Sequence, residues 1–175
     1  MPNKPVKFHK ERIFRETPGV HFSDTWVEGQ NGLDLVVHHG YAVSPPFLDD
    51  GSKQFYAHRH QVDNNRVIKG ARVFELVATE GQLNDEHYFV YLDEHSGALE
   101  IPVMVYHRSV SCESGSILLN HAVRDDLFSE DNEFHPDNQR DNLEIARILA
   151  EDNATYLNKT RAEIEFFIEN GRLPE

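Results

Sequence analysis

From residue 33 to residue 124 the sequence breaks into short β-type runs divided by turn residues at nearly even intervals. This spacing constrains the fold more than any other feature. Leu33–Val43 is rich in branched residues and closes at Pro45-Pro46. Arg66–Lys69 and Ala71–Ala78 meet at Gly70, which reads as a tight turn or a sharp barrel corner. His87–Leu92 and Ala98–Val103 flank Glu94-His95-Ser96-Gly97, a hairpin signal. Glu113-Ser114-Gly115 divides Tyr106–Ser111 from Ser116–Val123. Upstream, Ile13–Thr17 and Thr25–Glu28 read as edge strands, the second closed by Gly29-Gln30-Asn31-Gly32, behind a loose arm at residues 1–12. About eight or nine short strands in such a series predict a sandwich or barrel.

The period changes in the tail. Asn142 to Glu151 places Leu143, Ile145, Ala146, Ile148 and Leu149 mostly on one helical side. Thr160 and Glu163 form a capping box ahead of an apolar stripe at Ile164, Phe167 and Ile168. Gly171 stands at the C-cap, with Pro174 just beyond. These helices are expected on the barrel wall or at a dimer contact. The run from Asp125 to Asp137 reads as a solvated acidic linker. The chain is therefore expected to form one domain in three parts: arm and edge strands at 1–32, barrel at 33–124, and linker with helices at 125–175.

Composition limits the partners. A length of 175 residues suits one sizeable core, and the net charge of −13 repels phosphate backbones and anionic lipid. Neither nucleic acid nor membrane is expected. No apolar run approaches the roughly 20 residues that span a bilayer, and residues 1–7 lack the apolar centre of a signal peptide. Cys112 is the only cysteine, which excludes an internal disulfide and suggests a cytoplasmic home.

Gln54 to Gly70 is the stretch best suited to chemistry. Read as one strand, its period of two sends Tyr56, His58 and His60 to one face and Ala57, Arg59 and Gln61 to the other. His107, near the end of the run from Ile101, supplies a third imidazole, and Asp63 a carboxylate. Together they predict a site inside a small barrel that either holds a metal or moves protons. His38-His39 is a lesser candidate, since one of the pair must face inward. His9, His21, His87, His95, His121 and His135 have no partner pattern and read as surface or structural. Cys112 has no histidine at a suitable spacing and reads as inert.

These residues resemble the two motifs of the cupin superfamily. The first motif reads Gly, five residues, His-x-His, three or four residues, Glu, six residues, Gly. Counting back from Gly70 puts Asp63 in place of the glutamate, His58 at the second histidine and Tyr56 at the first, with Gly51 one position from the leading glycine. His58-x-His60 is a second register, shifted by two. The second motif, Pro-x-Gly-x-x-His, is matched by Pro102 and His107, with Met104 for the glycine and Ser111 where an asparagine stands. The resemblance covers roughly residues 33 to 124. It implies an all-β fold, a double-stranded β-helix or jelly-roll barrel, with a C-terminal α-helical extension. Tyr56-Ala57-His58 with Gly70, and the acidic, aromatic stretch Arg124–Phe134, are similar to the branch of nucleotide-sugar ketoisomerases and dTDP-sugar epimerases.

The resemblance implies two chemistries. The first is a sugar or nucleotide-sugar isomerase or epimerase that works without metal. There His58 is the general base that removes a proton α to a ketone, and Tyr56 or Tyr106 is the proton donor. Arg59, Arg66, Arg72 or Arg108 would bind a diphosphate. The second is a metal-dependent, dioxygenase-like cupin in which His58, Asp63 and His107, with His60 as a further ligand, hold one divalent transition ion (Fe, Mn, Ni or Zn). A non-catalytic, ligand-binding cupin is the third reading. Each takes a small molecule, and a homodimer is expected.

Overall fold

Two glycine corners turn the chain from one sheet to the other. The computed structural model describes residues 11–25, 31–79 and 85–175, so residues 1–10 of the expected arm (1–12) and residues 26–30 of the expected strand and turn (25–32) lie outside it, while Glu11 and Arg12, expected in the arm, begin a strand. In the first sheet β1 (Glu11–Thr17), β2 (Val20–Thr25), β3 (Gly32–His38), β11 (Ser116–Arg124), β6 (Gln61–Lys69) and β9 (Leu99–Ile101) lie side by side in that order. The second sheet orders β13 (Thr155–Leu157), β8 (Glu86–Asp93), β7 (Ala71–Ala78), β10 (Tyr106–Ser111) and β4 (Val43–Ser44). β5 (Gln54–Phe55) pairs with β12 (Asp137–Asn138). Among the described residues every pair of neighbouring strands is antiparallel except β13 against β8. The turn spacing predicts a sandwich or barrel, and the architecture is the all-β jelly roll that the resemblance implies.

Gly70 carries β6 into β7 and Gly115 carries β10 into β11, each with φ near +80° (+77° and +83°). A Cβ on Gly70 would overlap the carbonyl oxygen of Gly115, and one on Gly115 would overlap that of His38. The two corners therefore stack where no side chain fits.

Between the sheets Val67, Phe74, Leu76, Val90, Leu92, Ile101 and Leu118 form the central core. β7 is buried along its whole length because its outer face is covered too. Val73 and Tyr91 pack under Ile164 and Phe167 of α3 (Arg161–Asn170), and Val77 packs with Phe55 under Ile145 and Ile148 of α2 (Leu143–Ala150). Each such fully buried side chain contributes about 1.5–3 kcal/mol. The helix ends follow the sequence closely. Asn142 caps α2, the Thr160–Glu163 box caps α3, and Gly171 closes α3 with φ +68°. The C-terminal helices thus sit on the barrel wall.

Three local expectations are corrected. The Asp93–Ser96 turn exists, held by the Ser96 hydroxyl on the Asp93 carboxylate, but it does not close a hairpin. β8 stays in the second sheet while β9 crosses to pair with β6, because Ile101 gains full burial in the core there. The stretch from Gln54 to Gly70 is not one strand: it leaves the extended state at Arg59 and His60 before β6 begins. The acidic run from Asp125 is not a simple solvated linker either. It contains a short helix, α1 (Glu130–Glu133), whose Glu133 is fully buried beneath the backbone N–H of Arg59.

Candidate functional site

The segment before β6 is stitched to the start of β10. Tyr56 and His107 exchange backbone hydrogen bonds (2.9 and 2.7 Å), and the N–H of Met104 donates to the carbonyl of His58 (2.7 Å). This pairing brings the His58 and His107 rings to 5.1 Å between centroids. Asp63, the third residue of β6, points inward by the strand's alternation with Gln61 and Asn65. One donor atom from each of His58, Asp63 and His107 lies within 4.8 Å of the others, and all three residues are buried.

Their other atoms are held. The Nδ1 of His58 lies 3.0 Å from the carbonyl of Glu133, and the Nδ1 of His107 lies 3.1 Å from that of Val105. A carbonyl only accepts, so each Nδ1 carries a proton, and in the neutral ring each Nε2 presents a lone pair. Those Nε2 atoms stand 3.5 and 3.7 Å from the Oδ2 of Asp63. The Oδ1 of Asp63 accepts from Gln61 (2.7 Å) and Asn120 (2.8 Å). Donors on one ion with bonds near 2.1 Å lie about 3.0–3.4 Å apart, so a small inward adjustment would let all three bind the same ion. Burial, and then the nearby His58, push the proton affinity of His107 below the usual imidazole range. That keeps its lone pair available.

The cluster opens on a cavity of about 180 Å³. Phe14, Phe22 and Phe134 form an aromatic wall, with centroids 5.0–5.6 Å apart, and Phe134 also meets the His58 ring edge-on. Tyr56 lines the cavity, its hydroxyl accepting from Arg15 (2.6 Å). Arg72 lines it as well and donates to Ser116 Oγ and the Val36 carbonyl.

The structure does not bring every candidate here. His60 lies past the bend, half-exposed, with its Nδ1 on Asp125 (3.0 Å), and is not among the clustered donors. The Tyr106 hydroxyl faces Asn142 at the base of α2, outside this cavity. Arg108 does line the cavity, but its guanidinium lies over the Phe47 ring, facing Glu75 across 3.9 Å. Arg59 lines a separate surface groove with Met104 and Tyr106, and Arg66 is exposed. His38 is buried, and its ring nitrogens have no partner. Burial first, then Arg72 and Arg15, push its pKa down to about 2. It does not line the cavity. His87 is a structural partner of Glu75 (3.1 Å), and the buried Cys112 thiol donates to the Gly115 carbonyl.

Several residues of the site escape a reading by motif. Arg15 and Phe14 are consecutive yet both line the cavity, because a bulge in β1 between Ile13 and Arg15 breaks the alternation. Gln61 and Asn120 did leave a signal: they are polar residues at inward positions of strands whose other inward positions include Val67 and Leu118.

No family model matches the sequence, and no curated protein matches it. Solved structures do match. The capsular polysaccharide assembling protein CapF from Staphylococcus aureus superposes with a TM-score of 0.54 at 11% identity, over 76% of this chain and 32% of that one. An oxalate decarboxylase from Bacillus subtilis superposes with a TM-score of 0.53 at 15% identity, over 76% of this chain and 33% of that one. The chain thus spans about a third of the length of these proteins, and the likeness at such identity shows the fold.

Proposed function

The chain has the cupin fold, and from that premise we propose that it is a metal-dependent enzyme acting on a small molecule inside the barrel. The observation that carries this reading is the orientation of the two imidazoles. Both Nδ1 atoms are fixed on backbone carbonyls, so both Nε2 lone pairs face the one unbonded oxygen of Asp63. Donors held by outer hydrogen bonds in this way are the usual support of a metal ligand set. His58, His107 and Asp63 would hold one divalent transition ion (Fe, Mn, Ni or Zn), in the 2-His-1-carboxylate arrangement. When bound, such an ion polarises a substrate oxygen as a Lewis acid. Gln61 and Asn120 orient the carboxylate, and the phenylalanine wall limits access of water.

The test is metal analysis of untagged protein. The wild type and His60→Ala are expected to carry near-stoichiometric metal, while His107→Ala and Asp63→Ala lose it. Wild-type protein without transition metal would remove this reading. A metal-free sugar or nucleotide-sugar isomerase would then be favoured by the placement of His58 and Tyr56 on the same cavity. Its signature is exchange of a substrate C–H proton with solvent, catalysed in the presence of a chelator. At about 180 Å³ the cavity lies below the roughly 300 Å³ at which drug-sized ligand pockets begin, so it would enclose only the reacting end of a nucleotide sugar.

A further inference from the structure

We infer that the ligand of this cavity is a small organic acid whose carboxylate is bound by Arg15 and Arg72. This deepens the proposed function, and it rests on that reading only for the end of the molecule that reaches the His–Asp cluster.

Neither arginine has a carboxylate partner among the described residues. Arg15 donates from Nη1 to Tyr56 and from Nη2 to Ser44 (2.8 Å), and its buried Nε has no acceptor. Arg72 is 2% exposed and donates only to neutral oxygens, those of Ser116 (2.7 Å) and Val36 (2.9 Å). Apart from the exposed Arg59 and Arg66, the other arginines of the described residues face carboxylates. Arg12, Arg124, Arg140, Arg147 and Arg161 each meet at least one carboxylate, in a chain with 30 acidic residues. Burial, and then repulsion from Arg15, pull the pKa of Arg72 down to about 9, so the pair is short of negative charge. A buried cation without a counter-ion is costly, and an anionic ligand would relieve that cost.

The rest of the lining defines the anion. Among the described residues Asp63 is the only carboxylate on the cavity wall, and it belongs to the His58–His107 cluster. Val36, Phe22, Phe74 and Phe134 make much of the remaining wall apolar. A planar carboxylate matches the fork of a guanidinium, an apolar body matches the phenylalanines, and a 2-oxo or 2-hydroxyl oxygen would reach the imidazole side. The volume suits a ligand of a few heavy atoms.

Pyruvate and lactate are the probes, with lactamide as a neutral analogue of similar shape and inorganic phosphate as the competing anion. Binding is measured by calorimetry on untreated and chelator-stripped wild-type protein. Both carboxylates are expected to bind in either state, and lactamide about 10- to 100-fold more weakly. Arg15→Gln is expected to lose a similar factor in pyruvate affinity with unchanged metal content, while His107→Ala loses metal and still binds pyruvate. Equal affinity for lactate and lactamide overturns the proposal, as does tighter binding of phosphate than of either carboxylate. If Arg15→Gln fails to fold, the lactate–lactamide comparison on the wild type decides alone. Absence of metal from every sample, with carboxylate binding intact, removes the metal reading and leaves the anion site standing.

Discussion

Replacing Arg124 with methionine should destabilise the protein by an amount that is constant below pH 7 and grows above it. Arg124 is 5% exposed and donates to Gln61 (2.7 Å), Asp24 (3.3 Å) and Asp34 (3.0 Å), with its guanidinium 4.2 Å from the Phe128 ring centroid. Asp24 would keep Arg12 at 2.7 Å. Asp34 would keep no cation, for its one ion pair among the described residues is with Arg124. Burial already pushes the Asp34 pKa up to about 7, against the pull of Arg124. Below about pH 4 the carboxyl is protonated in both folded and unfolded chains and contributes nothing to the pH dependence. Between there and pH 7 only the folded chain keeps the proton, so stability falls as pH rises, by about 1.36 kcal/mol per unit. In the wild type that decline ends near pH 7, where Asp34 ionises in the fold. Without Arg124 the carboxyl stays protonated to higher pH, and the decline continues.

At pH 6 both proteins hold Asp34 protonated. The difference is then the lost Gln61 bond and the packing on Phe128, about 2 kcal/mol. At pH 8 the extra unit above pH 7 raises it to about 3–4 kcal/mol, in line with the roughly 3–5 kcal/mol expected when one partner of a buried ion pair is removed. For a domain of this size that is a melting temperature lower by roughly 6–16 °C. Calorimetric melts of Arg124→Met and the wild type from pH 5 to pH 9 measure the gap. A gap that stays flat or narrows above pH 7 would show that Arg124 does not hold the Asp34 charge.

Two other outcomes check the site and the frame. At pH 8, long-range proton–nitrogen NMR should find Nδ1 protonated and Nε2 bare in both His58 and His107; a proton on either Nε2 breaks the ligand geometry. Gly70→Ala should lower stability by about 2–4 kcal/mol, roughly 4–16 °C, because the positive φ and the Gly115 carbonyl both oppose a Cβ; an unchanged melting temperature would mean the corner is soft.

The elements readable in the sequence were those whose determinants are local. Gly70 and Gly115 mark corners because a positive φ leaves a residue-type trace at one position, and the Thr160–Glu163 box marks α3 because both partners lie within one turn. Pairing is not local, so Glu94–Gly97 signals a turn without revealing that β9 leaves for the other sheet. The same division runs through the candidate site. His58, Asp63 and His107 stand out by residue type and by their spacing from Gly70 and Pro102. His60 shares the His58 face only if the strand's period of two continues, and it lies elsewhere because the bend at Arg59 and His60 cancels that period. Glu133 has the look of any acidic linker residue, yet its buried carboxylate fastens that bend and its carbonyl sets the tautomer of His58, from 75 residues away. What the sequence conceals is therefore the support rather than the donors. A substitution at Glu133 or Asn120 should disturb the cluster as much as one at a donor, since an imidazole or carboxylate free to rotate is no longer aimed at a common point.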